Sequence, residues 1–328
     1  MTHEERVRGV RQLGFTEREA TFLVAVMLHA GVFLRRQYCA SAGIPRGRAA
    51  HAFLAKLTGP GYASLYRAAH RGAFIYHVHG KRLYRAIGEP DNRHRRPVTL
   101  ARAIERLMLL DAVLDAPGTR WLATEREKID YFVTDRLVPP DLLPLAFGGS
   151  SGQGRRYFPD KLPIGVVDEG ATPVFLYGVT RERPLEFRAF LHRHAELLRA
   201  LRTWEIRLLV TPEQEAWLPA FEGAAQEELA EPLAPETASD LRWYFEQRQV
   251  IDGGGVPADP TRFEALRRSF AAQRHRVLYR AWQADGTAPV YATTSPVLRA
   301  AMDARDGRVT RHVLRHTYLH LTPLVGTA

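Results

Sequence analysis

The sequence predicts an α+β protein with helices and a β-hairpin at its N-terminus, an α/β region after them and a mostly helical C-terminal part. Three observations predict this class. Helical spacing of apolar residues dominates the first 60 residues, two aromatic-rich, β-prone runs follow, and strand-like and helical segments alternate beyond residue 157. A chain of 328 residues that is 45% hydrophobic and 25% charged has the composition of a globular protein. Its length predicts two or three domains.

The cysteine content and the lengths of the apolar runs exclude several classes of protein. Cys39 is the only cysteine, so an internal disulfide and a cysteine-based zinc site are both excluded. The longest apolar run, Phe22–Leu28, is too short to span a membrane, and the N-terminus lacks the apolar stretch of a signal peptide. We therefore expect a soluble, cytoplasmic protein without a membrane partner.

Basic residues are concentrated in the first third of the chain. The net charge is +10, but residues 1–110 hold 19 Lys and Arg against 7 Asp and Glu, and the remainder is slightly acidic. Such a domain attracts a polyanion, because each neutralised phosphate releases counterions. Double-stranded DNA is the expected partner. An anionic membrane is the weaker alternative, and a merely solvated arginine-rich surface remains a third interpretation.

Three helices are predicted near the N-terminus. Thr16–Glu19 has the form of a capping box, so the first of them starts near Thr16 and ends near Gly31. A short second helix covers about residues 34–42, and Gly43-Ile44-Pro45 then breaks the chain. We expect Pro45 to lie in the first turn of the third helix, where its missing N–H costs nothing.

The third helix has two distinct faces. One is an apolar stripe made of Ala50, Phe53, Leu54 and Leu57. The other carries Arg46, Arg48, Ala49, His51, Ala52 and Lys56. Long hydrogen-bond donors that alternate with small residues suit a helix that must approach the floor of a DNA major groove.

A β-hairpin is predicted directly after these helices. Residues 62–67 and 73–79 are rich in aromatic and β-prone residues, and a glycine-containing loop joins them. A hairpin in this position is a wing, and residues 81–87 form a closing short helix. The sequence thus predicts a winged helix-turn-helix domain over residues 1–90.

The predicted domain supplies a set of candidate DNA contacts. We expect Arg46, Arg48 and His51 to reach base edges. The residues expected to hold phosphates are Arg35, Arg36, Lys56, Arg67, His70, Arg71, Lys81 and Arg82. The alternative is that the same fold docks a protein and that its arginines only solvate it.

Three segments resemble a known family. Gly14–Ala20, Phe33–Tyr38 and Leu83–Gly88 look like winged helix-turn-helix proteins of bacterial integrative and conjugative elements, which in turn resemble the replication-relaxation proteins of plasmids. The resemblance covers about residues 14–95. It implies a regulatory or replication-associated DNA-binding role on a mobile element, and it supplies no target sequence.

Residues 91–140 are predicted to be a helical connector. Its basic start, residues 91–97, is either a DNA-contacting arm or a solvated linker. A strongly apolar helix follows from Thr99 and is either a dimerisation element or the spine between two domains. A further helix starts at the Thr124 cap.

Residues 141–328 are predicted to form the α/β domain and its helical extension. Strand-like segments cover residues 157–164 and 173–179, a helix covers 186–202, and a buried strand covers 206–211. We expect the last strand to pair in parallel through a right-handed crossover. Helices are predicted over residues 236–250 and 260–283.

The order of these elements resembles the core of restriction-endonuclease-like nucleases, with Asp160 near the first strand. Active members place Asp/Glu-x-Lys on the next strand, but Phe175-Leu176-Tyr177 stands there in this chain. A degenerate nuclease fold that serves as a scaffold is therefore one interpretation, and an unrelated α/β layer is the other.

No cofactor or metal site is expected. The glycine-rich residues 148–154 lack the Lys-Ser/Thr of a phosphate loop. His312, His316 and His320 are spaced four apart, but no carboxylate or cysteine lies nearby in the sequence.

The expected function is sequence-selective binding of double-stranded DNA by a homodimer that is not an enzyme, as a transcriptional regulator or a replication or transfer accessory factor. One alternative is a subunit of a larger DNA-processing or defence complex, with other proteins docking on residues 145–328. The other is a metal-dependent nuclease that requires Asp160.

Overall fold

A computed structural model describes residues 1–67, 74–148 and 154–321 of the chain. The fold is mixed α+β, as predicted, with helices in the majority and the strands arranged in small sheets. The first elements are α1 (His3–Arg11), α2 (Glu17–His29), β1 (Val32–Leu34), α3 (Arg35–Ala42), α4 (Arg48–Thr58), β2 (Ala63–Arg67), β3 (Phe74–Val78) and α5 (Lys81–Ala86). Strands β1, β3 and β2 form an antiparallel sheet in that order.

The local signals in the sequence mark the start of α2 and the ends of α2 and α3 correctly, whereas α1, which Thr2 caps, was not predicted. Thr16 caps α2, and its reciprocal bond with Glu19 completes the expected capping box. Gly31 has a positive φ of 71°, and a side chain there would collide with the backbone of His94. Gly43 ends α3 in the left-handed conformation, with a φ of 62°. The chain therefore turns where its glycines permit it.

Two details of this region were predicted wrongly. Pro45 lies before the third helix and not in its first turn, because α4 starts at Arg48 with Gly47 as its N-cap. Leu34 was assigned to the second helix, but it ends the short strand β1, which pairs with β3 through Leu34 and Ile75. A strand of three residues is too short to give a periodic pattern.

The connector forms the centre of the molecule. It contains α6 (Leu100–Leu114), capped by Thr99 as predicted. Leu107, Met108 and Leu110 are completely buried. On one side α6 contacts α2 and β1, and on the other it contacts the strands of the C-terminal sheet. The structure therefore supports the role of spine for this helix, since its apolar residues are covered within the chain.

The remaining elements are β4 (Arg120–Leu122), α7 (Glu125–Ile129), β5 (Leu145–Gly148), β6 (Gly154–Tyr157), β7 (Ile164–Val167), β8 (Thr172–Gly178), α8 (Leu185–Ala200), β9 (Trp204–Val210), α9 (Leu218–Ala225), α10 (Pro235–Asp252), α11 (Pro260–Ser269), α12 (Gln273–Asp285), α13 (Ala288–Ala292), α14 (Val297–Asp303) and β10 (Gly307–Val313). Helix α7 continues as a π-helical turn over Asp130–Asp135.

These strands form a five-stranded sheet in the order β10-β9-β8-β7-β4. Strands β8 and β9 are parallel and joined through α8, which confirms the predicted parallel pairing. Strand β4, from within the predicted connector, is an edge strand of this sheet. The predicted strand over 157–164 is wrong: β6 ends at Tyr157, β7 begins at Ile164, and Phe158 and Lys161 between them have positive φ.

The C-terminal helices pack around an aromatic core. Tyr244, Phe245, Tyr279 and Trp282 are buried there, and Trp243 is partly buried against them. The helix predicted over 260–283 is divided into α11 and α12.

A buried ion pair ties the spine to its neighbours. The Asp111 carboxylate of α6 accepts two hydrogen bonds from Arg36, at 3.0 and 2.6 Å, and one from Gln37 at 2.8 Å. The hydroxyl of Tyr318, near the C-terminus, donates to the same carboxylate. Burial, and then the Asp111 charge, raise the pKa of Tyr318 above its usual value. One carboxylate thus joins α3, α6 and the C-terminal segment.

We expect Asp111→Asn to lower the free energy of unfolding by about 3–5 kcal/mol, because it leaves the Arg36 guanidinium, which is 14% exposed, without its counter-charge. Urea unfolding measures this loss. The matched control is Asp115→Asn at the exposed end of α6, which should stay within about 0.5 kcal/mol of wild type. A loss below about 1 kcal/mol for Asp111→Asn would contradict the role given to the pair.

A second prediction concerns His29, which is buried at the end of α2 with its ring 6.2 Å from that of Trp121. Burial, and then the ammonium group of Lys128, lower the pKa of His29 to about 3. The unfolded chain, with a pKa near 6.5, therefore takes up the proton first as the pH falls. Below pH 6.5, His29 should cost the folded state about 1.4 kcal/mol per pH unit.

Unfolding of His29→Phe at pH 5 and pH 7 tests this prediction. Between pH 7 and pH 5, His29→Phe should lose less unfolding free energy than wild type does. The saving should be about 1.4 kcal/mol for each pH unit below 6.5, because the variant has no imidazole that takes up a proton on unfolding. The variant His316→Gln, at an exposed histidine, is the control. An unchanged pH dependence in His29→Phe would show that His29 does not resist protonation.

Candidate nucleic-acid interface

Helix α4 presents one face to the core and the opposite face to solvent. At 3.6 residues per turn, Arg48, Ala52 and Ala55 lie on the side opposite the buried stripe. All four members of that predicted stripe, Ala50, Phe53, Leu54 and Leu57, are buried. Arg46, Ala49, His51 and Lys56 are exposed, again as predicted. The outer surface of α4 is therefore lined by cations and small side chains.

An aromatic cluster fixes the orientation of α4. The Phe53 ring stacks on Tyr38 at 3.9 Å between centroids and lies 6.1 Å from both Phe22 and Phe33. Phe15 approaches the same ring edge-on at 6.5 Å. These contacts come from α2, α3 and β1 and their flanking residues. The exposed face of α4 is therefore held on a rigid support and not on a loop.

The cations at the N-terminal end of α4 differ in their partners. Within the part of the chain that the structure describes, the side chains of Arg46 and Arg48 have no hydrogen-bond or ion-pair partner. Arg35 donates to Nε2 of His51 at 3.2 Å, and Nδ1 of His51 lies 3.1 Å from the carbonyl of Gly47. Since a guanidinium only donates, His51 accepts through Nε2 and donates through Nδ1. His51 is thus oriented, while both arginines are free to bind.

Two residues expected to hold phosphates are engaged elsewhere. Arg36 is bound bidentately to Asp111 and only 14% exposed, so its assignment to a phosphate is corrected here: the guanidinium has a structural role. The Lys56 ammonium lies 3.0 Å from Glu19, the partner of Thr16 in the capping box of α2. Its side chain is 43% exposed, so Lys56 stays on the surface with part of its charge neutralised.

The hairpin and α5 place the other candidates apart from the N-terminus of α4. Arg67 is the last residue of β2, and His70 and Arg71 lie outside the described residues. Lys81 and Arg82 are exposed in the first turn of α5, at the base of the hairpin. There the amide of Gly80 bonds the carbonyl of Tyr62, beyond the C-terminal end of α4. The structure therefore groups Arg35, Arg46, Arg48 and His51, with Lys81 and Arg82 at the other end of α4.

The basic start of the connector matches neither of its two predicted roles. Arg93–Arg95 form a 3₁₀ turn, and His94 is buried with its carbonyl 2.9 Å from the ring of His77. Arg95 donates to the carbonyl of His79 at 3.2 Å. This segment is packed against the N-terminal unit, so it is neither a free arm nor a solvated linker.

The carboxylate that an active nuclease would need is already paired, and the histidines considered for a metal site lie in different elements. Asp160 accepts two hydrogen bonds from Arg193, at 2.6 and 2.9 Å. His312 lies on β10, whereas His316 and His320 lie beyond the end of that strand. Among residues 1–67, 74–148 and 154–321, no three His, Cys, Asp or Glu side chains are grouped so that they could hold a metal ion.

A second group of cations was missed from the sequence. Arg93, Lys128, Arg156 and Lys161 line a cavity between the N-terminal unit and the C-terminal sheet. They are separated by up to 68 residues and belong to no common motif, so only the fold brings them together.

Comparison with known proteins adds no relative. The chain matches no protein-family model, and no curated protein or solved structure is significantly similar to it. In the described part of the chain, every helix is too short or too polar to cross a membrane.

Proposed function

We propose that residues 1–90 are a winged helix-turn-helix domain that binds double-stranded DNA, with α4 in the major groove. The exposed face of α4 carries this proposal. It combines the free guanidinium group of Arg48 with the small side chains Ala52 and Ala55, and the free guanidinium group of Arg46 lies two residues before the helix begins. Small residues allow the helix to approach the bases closely, and a guanidinium can donate two hydrogen bonds to O6 and N7 of guanine.

The arrangement of the N-terminal elements supports this proposal. Helices α2, α3 and α4 precede the β2–β3 hairpin, and β1 adds a third strand to it. In such an arrangement α4 is the recognition helix and the hairpin is the wing. We propose that the wing residues Arg67, His70 and Arg71 hold phosphates beside the groove.

The balance of paired and free cations is consistent with a polyanionic partner. Arg6, Lys56 and Arg36 of the N-terminal unit form ion pairs with Glu127, Glu19 and Asp111. Arg46, Arg48, Lys81 and Arg82 keep their charge available at the surface. Free cations raise the local concentration of DNA and release its counterions on binding.

We assign separate roles to these cations. Arg46 and Arg48 read base edges, whereas Arg35, Lys81 and Arg82 hold phosphates. His51 was expected to read a base edge, but both of its ring nitrogens are bonded, to Arg35 and to Gly47, so we assign it the role of positioning Arg35. Lys56 adds a weaker phosphate contact because Glu19 shares its charge. We propose that the protein acts as a dimer, as a transcriptional regulator or a replication or transfer accessory factor of a mobile element.

For the C-terminal region we propose a catalytically inert, restriction-endonuclease-like scaffold. Two observations support this proposal. The elements follow one another in the order α6, β4, β7, β8, α8, β9, and β8 pairs in parallel with β9. The bidentate pair of Asp160 with Arg193 supports the absence of a nuclease site, because the carboxylate is already neutralised.

Arg48→Ala tests the assignment of the recognition helix. We expect binding to a selected duplex to weaken by about 1–3 kcal/mol, with specificity relaxed at one base position. Titration of fluorescent duplexes that differ at single positions measures both effects. Arg268→Ala, at an exposed arginine of α11, is the matched control and should leave affinity unchanged.

An equal loss on every duplex would contradict base reading by Arg48. A loss of the same size for Arg268→Ala would show that binding reflects net charge alone and not the face of α4.

A further inference from the structure

A cavity of about 470 Å³ lies where the N-terminal unit meets the C-terminal sheet. One wall is the segment of residues 88–96, which follows α5. The opposite walls come from α7 and the two residues before it, including Lys128, and from residues 156–161, which cover the end of β6 and the segment after it. The volume falls in the range of small-molecule sites in proteins.

Five cations line this cavity: Arg93, Arg96, Lys128, Arg156 and Lys161. As far as the structure describes the chain, none of the five has an ion-pair partner. This contrasts with the arginines of the rest of the chain, many of which are paired with carboxylates at 2.6–3.8 Å. Unpaired cations facing one concave space are an arrangement that an anionic ligand would complete.

Cations outnumber acidic residues in this cavity. The acidic residues are Glu89, Asp91 and Glu125, three against five cations. Glu125 accepts a hydrogen bond from the backbone amide of Tyr157 at 2.8 Å. Burial raises the pKa of Glu89, which disfavours its charged form. The positive charge therefore prevails.

Lys128 is the most deeply placed of the five. It is only 4% exposed, and its ammonium group donates to the carbonyl of Leu162 at 2.7 Å and lies 5.6 Å from the ring centre of Phe158. Arg93 donates to the carbonyl of Lys161 at 2.7 Å. These bonds hold both charges in place before any ligand arrives, so the site is preorganised.

The pKa values of these groups reflect their burial first and then their mutual repulsion. Burial, and then Arg93, lower the pKa of Lys128 to about 7. Burial, and then Arg93 and Arg156, lower the pKa of Lys161 to about 8. An anion bound among them would offset this repulsion and favour their protonated forms.

We propose that this cavity binds a small phosphate-bearing molecule, whose phosphate lies among Arg93, Lys128 and Lys161. Arginine and lysine together suit phosphate, since the guanidinium donates in a fork and the ammonium acts as a point charge. The phosphate of a DNA backbone is the competing source. The burial of Lys128 favours the small molecule, because its ammonium group lies below the surface that a duplex backbone would follow.

Isothermal titration of the full chain with inorganic pyrophosphate tests the proposal. We expect saturable binding of one equivalent, at least tenfold weaker in Lys128→Met and in Lys161→Gln. Lys161→Gln serves if loss of the bond to Leu162 impairs folding of Lys128→Met. The control Arg268→Gln, on exposed α11, should bind as wild type does.

Proton uptake provides a second readout. At pH 8, titrations in two buffers of different ionisation enthalpy should show that wild type takes up more protons on binding than Lys128→Met and Lys161→Gln do. Apart from Arg93, the charged groups that act on Lys128 are Asp160, Glu125 and Glu127. Binding through fully protonated surface cations would give wild type and both variants the same proton exchange.

Three results would overturn the proposal. They are equal binding by wild type and both lysine variants, the absence of saturable binding, and displacement of pyrophosphate by duplex DNA together with loss of DNA affinity in Lys128→Met. The last result would assign the cavity to the DNA interface. None of these results depends on whether α4 reads bases, so the two proposals can fail separately.

Discussion

Helix α6 is buried on two sides, and this constraint fixes how the N-terminal helices meet the C-terminal sheet. Leu107, Met108 and Leu110 are inaccessible to solvent because one side of the helix meets the N-terminal helices and the other meets the sheet. A carboxylate at Asp111 in such a helix must be paired, and Arg36, Gln37 and Tyr318 supply the partners. The N-terminal unit is therefore fixed to the sheet and not tethered to it by a linker.

This constraint divides the basic residues of the N-terminal third into two groups. Arg36 and Arg6 are used inside the molecule, where their counter-charges are Asp111 and Glu127. Arg46 and Arg48 stay free just before and at the start of α4, which the ring of Phe53 holds against the core. Net charge alone does not separate these groups, whereas the contacts of each guanidinium do. The same distinction identifies the cations of the cavity, which face one concave space but are unpaired.

Short-range patterns in the sequence predict much of the fold. The capping box at Thr16, the stripe from Ala50 to Leu57 and the turn at Gly43 each depend on residues within one or two turns of helix, and each is observed. What could not be predicted depends on residues far apart in the chain. Arg36 and Asp111 are 75 residues apart, so nothing in the local pattern shows that Arg36 is unavailable for DNA.

The same reason explains the cavity and the misplaced strand. Lys128 and Lys161 meet only because β4 and β7 pair at the edge of the sheet and carry their neighbours with them. The apolar residues of the segment 157–164 pattern like a strand, yet the left-handed conformations of Phe158 and Lys161 interrupt the extended chain. Such conformations in residues other than glycine are imposed by the surrounding structure and leave no signal in the sequence.

Base reading by α4 can be tested directly by selection of random DNA duplexes with the purified full chain over a series of salt concentrations. If α4 reads bases, sequencing of the retained duplexes should show an enriched motif that survives physiological salt. For a dimer the motif should be palindromic, with half-sites about one helical turn apart. Retention without any motif, with affinity that falls steeply and equally for all sequences as salt rises, would contradict the account.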